Sequence, residues 1–329
     1  MDTSQPIFVT GGTGFLGGTL IQRLSAEGYR VRALARDPAR ATFIRDLRGL
    51  ELVQGDLTQT ENLYRVLAGC GTVFHVAAAI TGPLRTQQAT NIEGTRHLVR
   101  AAADAGVRRF VHVSTVAVYG YSRQGIIRES DPMTPGDEPY SSTKAEAERI
   151  IGQVAGARHL PYSIIRPAMI YGPRSGMWTE KAFRLASLPV IPWVGDGSGN
   201  AYPIYVEDVV DLMLVLAEHP AAVGEIFNCA PDPSPTWRDF LGAYAHLTGR
   251  EPSWLRLPFN LVHPIVRLLS RLAPAQTPLK EAANVIQMTQ RQTTHSMAKA
   301  RDLLGWSPQV ELAEGIQRSG SWLRETGKL

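Results

Sequence analysis

The residues with the most evident chemistry are a tyrosine and a lysine. In Tyr140-Ser141-Ser142-Thr143-Lys144 the two stand four positions apart, which on a helix is one turn and one face. A free phenol titrates at about 10, so a tyrosine that exchanges protons at neutral pH needs its phenolate stabilised. An ammonium group beside it does so. Upstream, an apolar run ends in Val113-Ser114-Thr115, which places hydroxyls where they can bond a substrate oxygen. A Y-x-x-x-K pair alone is common. Paired with a strand-end hydroxyl, it suggests proton exchange with a carbonyl or alcohol oxygen.

A second stretch supplies what such a site would need. Thr10-Gly11-Gly12-Thr13-Gly14-Phe15-Leu16-Gly17 follows the apolar run Ile7-Phe8-Val9 and precedes a helical pattern from Phe15 to Ala26. A strand, a glycine-rich turn and a helix can hold a dinucleotide, with the pyrophosphate on the helix N-terminus. The spacing is G-x-x-G-x-x-G. Gly11 suits the tight turn, Gly14 the close approach to phosphate and Gly17 the packing of helix on sheet. The second strand ends in Ala35-Arg36-Asp37. Ala35 stands where NAD enzymes place an acid for the ribose, and Arg36 can pair with a 2′-phosphate, so the reading is NADP(H) ahead of NAD(H). The competing reading makes Arg36 a surface residue and gives the acidic role to Asp37. Arg32 assists only if it points outward. Asp56, in Gly55-Asp56-Leu57, caps a helix or meets the adenine edge, and the two roles can coexist.

The elements that must position these residues alternate. Strands are expected at Arg30–Ala35, Leu50–Gln54, Thr72–Val76, Arg109–Ser114 and Tyr162–Arg166. Helices are expected at Ala39–Leu47, Thr60–Leu67, Gln88–Ala105 and Ser141–Ala155. This order implies a parallel sheet covered on both faces, with ligands at the carboxyl ends of the strands. Small residues after the fourth strand, in His75-Val76-Ala77-Ala78-Ala79, permit close approach to a cofactor. His75 reads as a packed residue. Beyond Arg166-Pro167 the pattern becomes irregular: Pro173 to Asn200 reads as loops around a cleft. It is followed by a strand at Tyr202–Tyr205, a helix at Glu207–Ala217 and a strand at Glu225–Asn228 that returns to the sheet. Further helices are expected at Trp237–Leu247 and Met297–Leu304.

The bulk properties are those of an ordinary globular chain: 329 residues, 44% hydrophobic, 19% charged, net charge +4. Most of the basic charge is arginine, and no block of like charge suggests nucleic acid. The two cysteines, Cys70 and Cys229, have no metal-ligand spacing, so no metal is expected and a reducing cytoplasm fits. The first strand begins within a few residues of Met1, so no signal peptide is expected, and no apolar stretch is long enough to span a bilayer.

With TGGTGFLG, GDL, HVAAA, NIEGT, VSTVAVYG, YSSTK and IIRPAMIYGP in this order over roughly the first 175 residues, the chain resembles the extended short-chain dehydrogenase/reductase superfamily. The resemblance implies an α/β fold: a Rossmann-type doubly wound parallel sheet with a smaller, interwoven C-terminal substrate lobe. Residues 1–170, joined by 202–230, would bind the dinucleotide, and 171–201 with 231–329 would form the lobe. Tyr140 would be the general acid/base and Lys144 its activator and ribose anchor. Thr115 would be the hydroxyl partner, with Ser114 the neighbouring alternative, and Asn91 would support the active-site backbone. Cofactor contacts would come from Gly11, Thr13, Gly14, Phe15, Leu16, Gly17, Arg36, Asp56, Leu57, Ala77, Ala78 and Pro167, besides Tyr140 and Lys144. A homodimer through the helices after Asn91 and Tyr140 is implied as well.

Two departures bear on the substrate. Nucleotide-sugar enzymes of this superfamily commonly carry an asparagine where this chain has Met169 and an arginine where it has Ala201. A nucleoside diphosphate would lose a bidentate partner, unless Arg174 or Arg238 compensates. The lobe instead offers Met169, Met177, Trp178, Phe183, Trp193 and Tyr202, with Ala79 from the sheet. These suit an uncharged, partly hydrophobic alcohol or carbonyl compound. The leading expectation is an NADP(H)-preferring oxidoreductase. The alternatives are a nucleotide-sugar epimerase or dehydratase with tightly bound NAD, and a non-catalytic dinucleotide-binding protein. Leu255 to Leu272, with Arg256, Arg267 and Arg271 and interrupted by Pro258 and Pro264, reads as a lid or packing helix, with a lipid-touching surface helix as the alternative.

Overall fold

The computed structural model describes residues 1–59, 63–121, 123–273 and 278–329. The first half alternates as its sequence pattern implies: β1 (Ile7–Thr10), α1 (Phe15–Ala26), β2 (Val31–Ala35), β3 (Leu50–Gln54), α2 (Leu63–Leu67) and β4 (Thr72–His75). Next come α3 (Leu84–Gln87), α4 (Thr95–Asp104), β5 (Arg109–Val113), β6 (Gly125–Ile127), α5 (Pro139–Ala157), β7 (Tyr162–Pro167) and β8 (Met169–Tyr171). The second half holds α6 (Ala182–Ala186), β9 (Ile191–Val194), β10 (Pro203–Tyr205), α7 (Val206–Glu218), β11 (Ile226–Cys229), α8 (Trp237–His246) and β12 (Trp254–Leu257). It ends with α9 (Phe259–Leu272), α10 (Pro278–Met288), β13 (Thr293–His295), α11 (Ala298–Leu304) and α12 (Leu312–Glu325).

Seven of these strands form one parallel sheet in the order β11-β7-β5-β4-β1-β2-β3. Both faces are covered, so its strands read as continuous apolar runs rather than alternating ones. In β1, Ile7 and Val9 join one core with residues of α1 and α7, while Phe8 joins the other with residues of α2, α4 and α5. Each such side chain, fully buried, contributes roughly 1.5–3 kcal/mol. The chain leaves β1 toward β2 and β3 on one side and returns as β4 on the other. That reversal opens a crevice at the carboxyl ends of the strands, where the glycine turn lies.

The remaining strands form three parallel pairs outside the sheet: β10 with β8, β12 with β9 and β13 with β6. The last sets Thr293–His295 against Gly125–Ile127, so a late strand is anchored on the first half of the chain. Of the two late strands expected near the nucleotide fold, Ile226–Cys229 joins the sheet beside β7, and Pro203–Tyr205 pairs with β8 outside it.

Several elements differ from expectation. The helix expected over Ala39–Leu47 is a single 3₁₀ turn at Pro38–Arg40 followed by further turns. Buried Ala41 and Ile44 tie that short stretch to the core instead. The long helix expected from Gln88 begins as a π turn, Gln88–Gly94, before α4. Residues 60–62 of the helix expected at Thr60–Leu67 lie outside the described residues. Pro173–Asn200 is not all loop, since it contains a π turn at Gly176–Lys181, α6 and β9. The Leu255–Leu272 stretch splits into β12 and α9, with Pro258 as the helix N-cap and Pro264 inside it. The apolar side chains Leu261, Ile265, Leu268 and Leu272 of α9 are exposed, so that face is not a packing surface within the chain. Among the described residues no helix is long and apolar enough to cross a membrane.

Candidate active site

The glycine turn is shaped by close contact. Gly11 has φ +72°, and a Cβ there would lie 2.7 Å from the backbone N of Ala77 after β4. At Gly17 a Cβ would meet the carbonyl oxygen of Gly11 at 2.3 Å, so any side chain would push α1 off the turn. Gly14 is the N-cap of α1 and makes no side-chain cap. The positive end of that helix is left for an external anion. The turn borders a cavity of about 710 Å³. The expected cofactor residues of the turn, with Arg36, Asp56, Leu57, Ala77, Ala78 and Pro167, all lie on its wall. Ser114, Thr115 and Tyr140 share that wall with Met169, Met177, Trp178 and Tyr202 from the chain beyond β7.

Helix α5 places Tyr140. Pro139 occupies its first turn, and the Glu138 carboxylate accepts from the N–H groups of Tyr140 (2.9 Å) and Ser141 (2.6 Å). Thr115 Oγ1 accepts from Ala117 N at 3.2 Å, which leaves its own proton for another partner. Ser114 is differently placed: its hydroxyl donates inward to Glu148. Thr115 is therefore the better placed of the two hydroxyls to serve a ligand oxygen. Asn91 lies behind the wall, where its side chain bonds both the N–H (2.8 Å) and the carbonyl (2.9 Å) of Ala79 and also donates to Thr143 Oγ1 (3.0 Å). Ala79 itself is not on the wall, whereas Ile80 is.

Lys144 departs from its expected place. It is buried beneath the cavity wall, and Nζ lies 2.7 Å from the carbonyl of Val113 and 3.0 Å from His112 Nε2. Burial pulls the amine down to about 7, against the opposing pull of Glu148. Burial also holds His75 down to about 3 and His112 well below its ordinary value, with Lys144 adding to both. Both imidazoles are neutral, and His75 is held between the hydroxyls of Thr10 (2.9 Å) and Thr95 (2.8 Å). The Tyr140 phenol is raised, first by burial, then by the Glu138 carboxylate and Tyr121, while a hydrogen bond with Thr115 opposes them. The expected lowering of Tyr140 by Lys144 is therefore absent: the phenol is protonated at neutral pH.

Under the wall runs a buried charged network. Arg166 binds Glu148 through Nε (3.0 and 3.2 Å) and Nη2 (2.6 Å), and its Nη1 donates to the Tyr119 hydroxyl at 2.7 Å. Tyr119 in turn donates to Asn228 Oδ1 at 2.8 Å, which links β11 to the β5 loop.

Other expected residues are occupied elsewhere. Arg32 pairs with Glu51 at 2.7 Å on the sheet edge, away from Arg36. Asp37 accepts from Ala39 N at 3.0 Å, and Asp56 from Thr58 N and Oγ1, both at 2.9 Å. Trp193 is not on the wall; it packs between Trp237 and Trp254. Phe183 packs against Tyr244. Ala201 is fully buried. Arg174 is held by Thr19 (3.2 Å), Gln22 (3.0 Å) and the ring of Phe43, and Arg238 donates to the carbonyl of Asp196 (2.9 Å). Wall residues that sequence reading missed include Tyr121, Met288, Arg291 and His295. No local motif marks the last two, which reach the cavity through the pairing of β13 with β6.

Residues 7–230 match the NAD dependent epimerase/dehydratase family. The chain belongs to that family. Similar proteins of the extended short-chain dehydrogenase/reductase type carry different activities. One is the 4-hydroxy-2-methyl-3-oxo-4-farnesyl-3,4-dihydroquinoline-1-oxide ketoreductase of Stigmatella aurantiaca, 30% identical over 97% of this chain and 96% of that protein. Another is a UDP-glucose 4-epimerase of Mycolicibacterium smegmatis, 30% identical over 96% of this chain and 97% of that protein. Among solved structures, MoeE5 in complex with UDP-glucose and NAD is similar at a TM-score of 0.76 and 26% identity, covering 98% of this chain and 99% of that one. This chain is accordingly an enzyme of the NAD(P)-dependent oxidoreductase and epimerase type.

Proposed function

We propose that this protein is an NADP(H)-preferring oxidoreductase acting on a carbonyl or secondary alcohol of a small, partly hydrophobic substrate. The observation that carries the reading is the shared wall: Tyr140 and Thr115 line the same cavity as the uncapped N-terminus of α1. A dinucleotide fits that end, because the glycine turn would lay its pyrophosphate on the free N–H groups of α1. Bound cofactor would supply or accept the hydride at its nicotinamide ring. Tyr140, protonated in the free protein, would give its proton to the substrate oxygen in reduction and take it back in oxidation. Thr115 would donate a hydrogen bond to the same oxygen. Asn91 would keep the Ala79 backbone in place, and Lys144 would set the field behind Val113. Met169, Met177 and Trp178 would exclude water from the reacting carbon. Arg36 supports NADP(H): it is exposed on the wall, while the neighbouring acid, Asp37, is used as a turn cap.

Turnover of NADPH with a panel of ketones tests the reading. Tyr140→Phe should lose about 10²–10⁴-fold in rate, the usual range for a general acid; unchanged turnover removes Tyr140 from the chemistry. Epimerization of a nucleotide sugar with tightly held NAD is the second reading, favoured by the similar UDP-glucose 4-epimerase. The absorbance of the purified protein separates the two, because retained cofactor supports epimerization. We also propose a homodimer through α4 and α5 and a cytoplasmic site of action; light scattering of the purified protein tests the former and cell fractionation the latter.

A further inference from the structure

The cavity has a polar corner whose buried groups are only partly satisfied among the described residues. Arg291 is 5% exposed, on the same wall as Tyr140. Its Nε donates to the carbonyl of Arg123 at 3.1 Å, but Nη2 is buried without a hydrogen-bond partner. Among the described residues it makes no ion pair. An unpaired charge held out of water costs several kcal/mol, so such a group persists where a ligand supplies the missing anion. Beside it on the wall stands His295, 2% exposed, whose Nδ1 is likewise buried and unpartnered. Tyr202 sits edge-on to His295 at 4.9 Å between ring centroids. Its backbone has φ +53°, a left-handed conformation that costs a bulky residue about 1–3 kcal/mol and collects at ligand sites. Three elements thus converge on the corner: the turn after α10, the strand β13 and the residue before β10.

We infer that Arg291, with His295 and Tyr202, forms a subsite for an oxyanion carried by the substrate, a carboxylate or a phosphate monoester. The inference rests on the proposed reading of this cavity as a substrate site and sharpens it. The substrate is amphipathic: an anionic group at Arg291, an apolar body along Met169, Met177, Trp178 and Met288, and the reacting oxygen at Tyr140. This replaces the uncharged compound that the composition of the lobe suggests. A nucleoside diphosphate is a poorer fit, because Arg174 and Arg238 are engaged elsewhere and Ala201 is buried.

Calorimetric titration of the full chain, saturated with NADPH, with octanoate, octyl phosphate and 1-octanol at neutral pH tests the subsite. One anion should bind about tenfold or more tighter than the alcohol, as expected for a hydrogen bond to a charged group. The tighter of the two anions identifies the carboxylate or the phosphate source. Arg291→Met should bind that anion and the alcohol equally, and Arg291→Lys should keep part of the preference. Equal binding of all three probes by the native protein, or a preference that survives in Arg291→Met, overturns the subsite. NADPH fluorescence separates the two claims. A native protein that binds no NADPH, yet prefers the anion without it, keeps the subsite and loses the oxidoreductase reading.

Discussion

Two buried arginines of this protein have opposite surroundings. Arg166, at the end of β7, is 2% exposed and forms a bidentate pair with Glu148. That carboxylate and Tyr119 raise its pKa. Arg291 is almost as buried, but it has no acidic partner, and burial lowers its pKa. The first arginine joins two elements and is fully satisfied from within. The second lies on a cavity wall with a donor left over. A buried charge with its partners present is a structural device, and one on a cavity wall with a donor left over is open to a ligand.

The comparison can be broken by removing partners. Glu148→Gln leaves Arg166 buried without its counter-charge and should cost about 3–5 kcal/mol of stability. Urea unfolding measures it, and a loss below about 1 kcal/mol would make the network dispensable. Lys144 gives the next effect. Burial brings its amine down to about 7 in the folded protein from its ordinary 10.5. Between those values the unfolded chain holds a proton that the folded chain does not, so the lysine's contribution to stability rises with pH through that window. The stability of the native protein relative to Lys144→Met should therefore grow by about 1 kcal/mol per pH unit above pH 7. A difference that stays flat in unfolding experiments at neutral and mildly alkaline pH would place the ammonium form in the folded protein throughout. Arg291→Met should change least, staying within about 1 kcal/mol of the native protein or exceeding it, since the one hydrogen bond it loses is offset by removal of a buried charge that has no ion pair among the described residues. A loss as large as that of Glu148→Gln would make the two arginines alike.

The dinucleotide end of the cavity was legible in the sequence because its determinants are local. Gly11, Gly14 and Gly17 lie within seven residues, and the turn they make depends on their own backbone and on the strand and helix that flank it. Tyr140 was legible for a similar reason, being set at the start of a helix by Pro139 and Glu138. The direction of Lys144 was not. Helical spacing placed it on the face of Tyr140, but the side chain is drawn to Val113 and His112, which belong to β5. The helix expected at Ala39–Leu47 failed because a short apolar pattern there serves the core through Ala41 and Ile44 in isolated turns rather than a continuous i→i−4 ladder. Trp193 and Phe183 looked like substrate contacts by type alone, and an aromatic cluster around Trp237 and Tyr244 claims them.

The amino-acid sequence by itself determined the parallel sheet, the glycine turn, the uncapped helix end and the tyrosine of the site. The turn, the helix end and the tyrosine follow from short motifs, and the sheet follows from the alternation of apolar runs with helical patterns along the chain. Only the tertiary structure decided which hydroxyl is available. Ser114 and Thr115 are neighbours in the chain, and a carboxylate on α5 separates their roles. It also decided the polar corner. Arg291 and His295 lie about 150 residues from Tyr140 and share no motif with it. Their place on the wall depends on the pairing of β13 with β6, a long-range contact that no local pattern encodes.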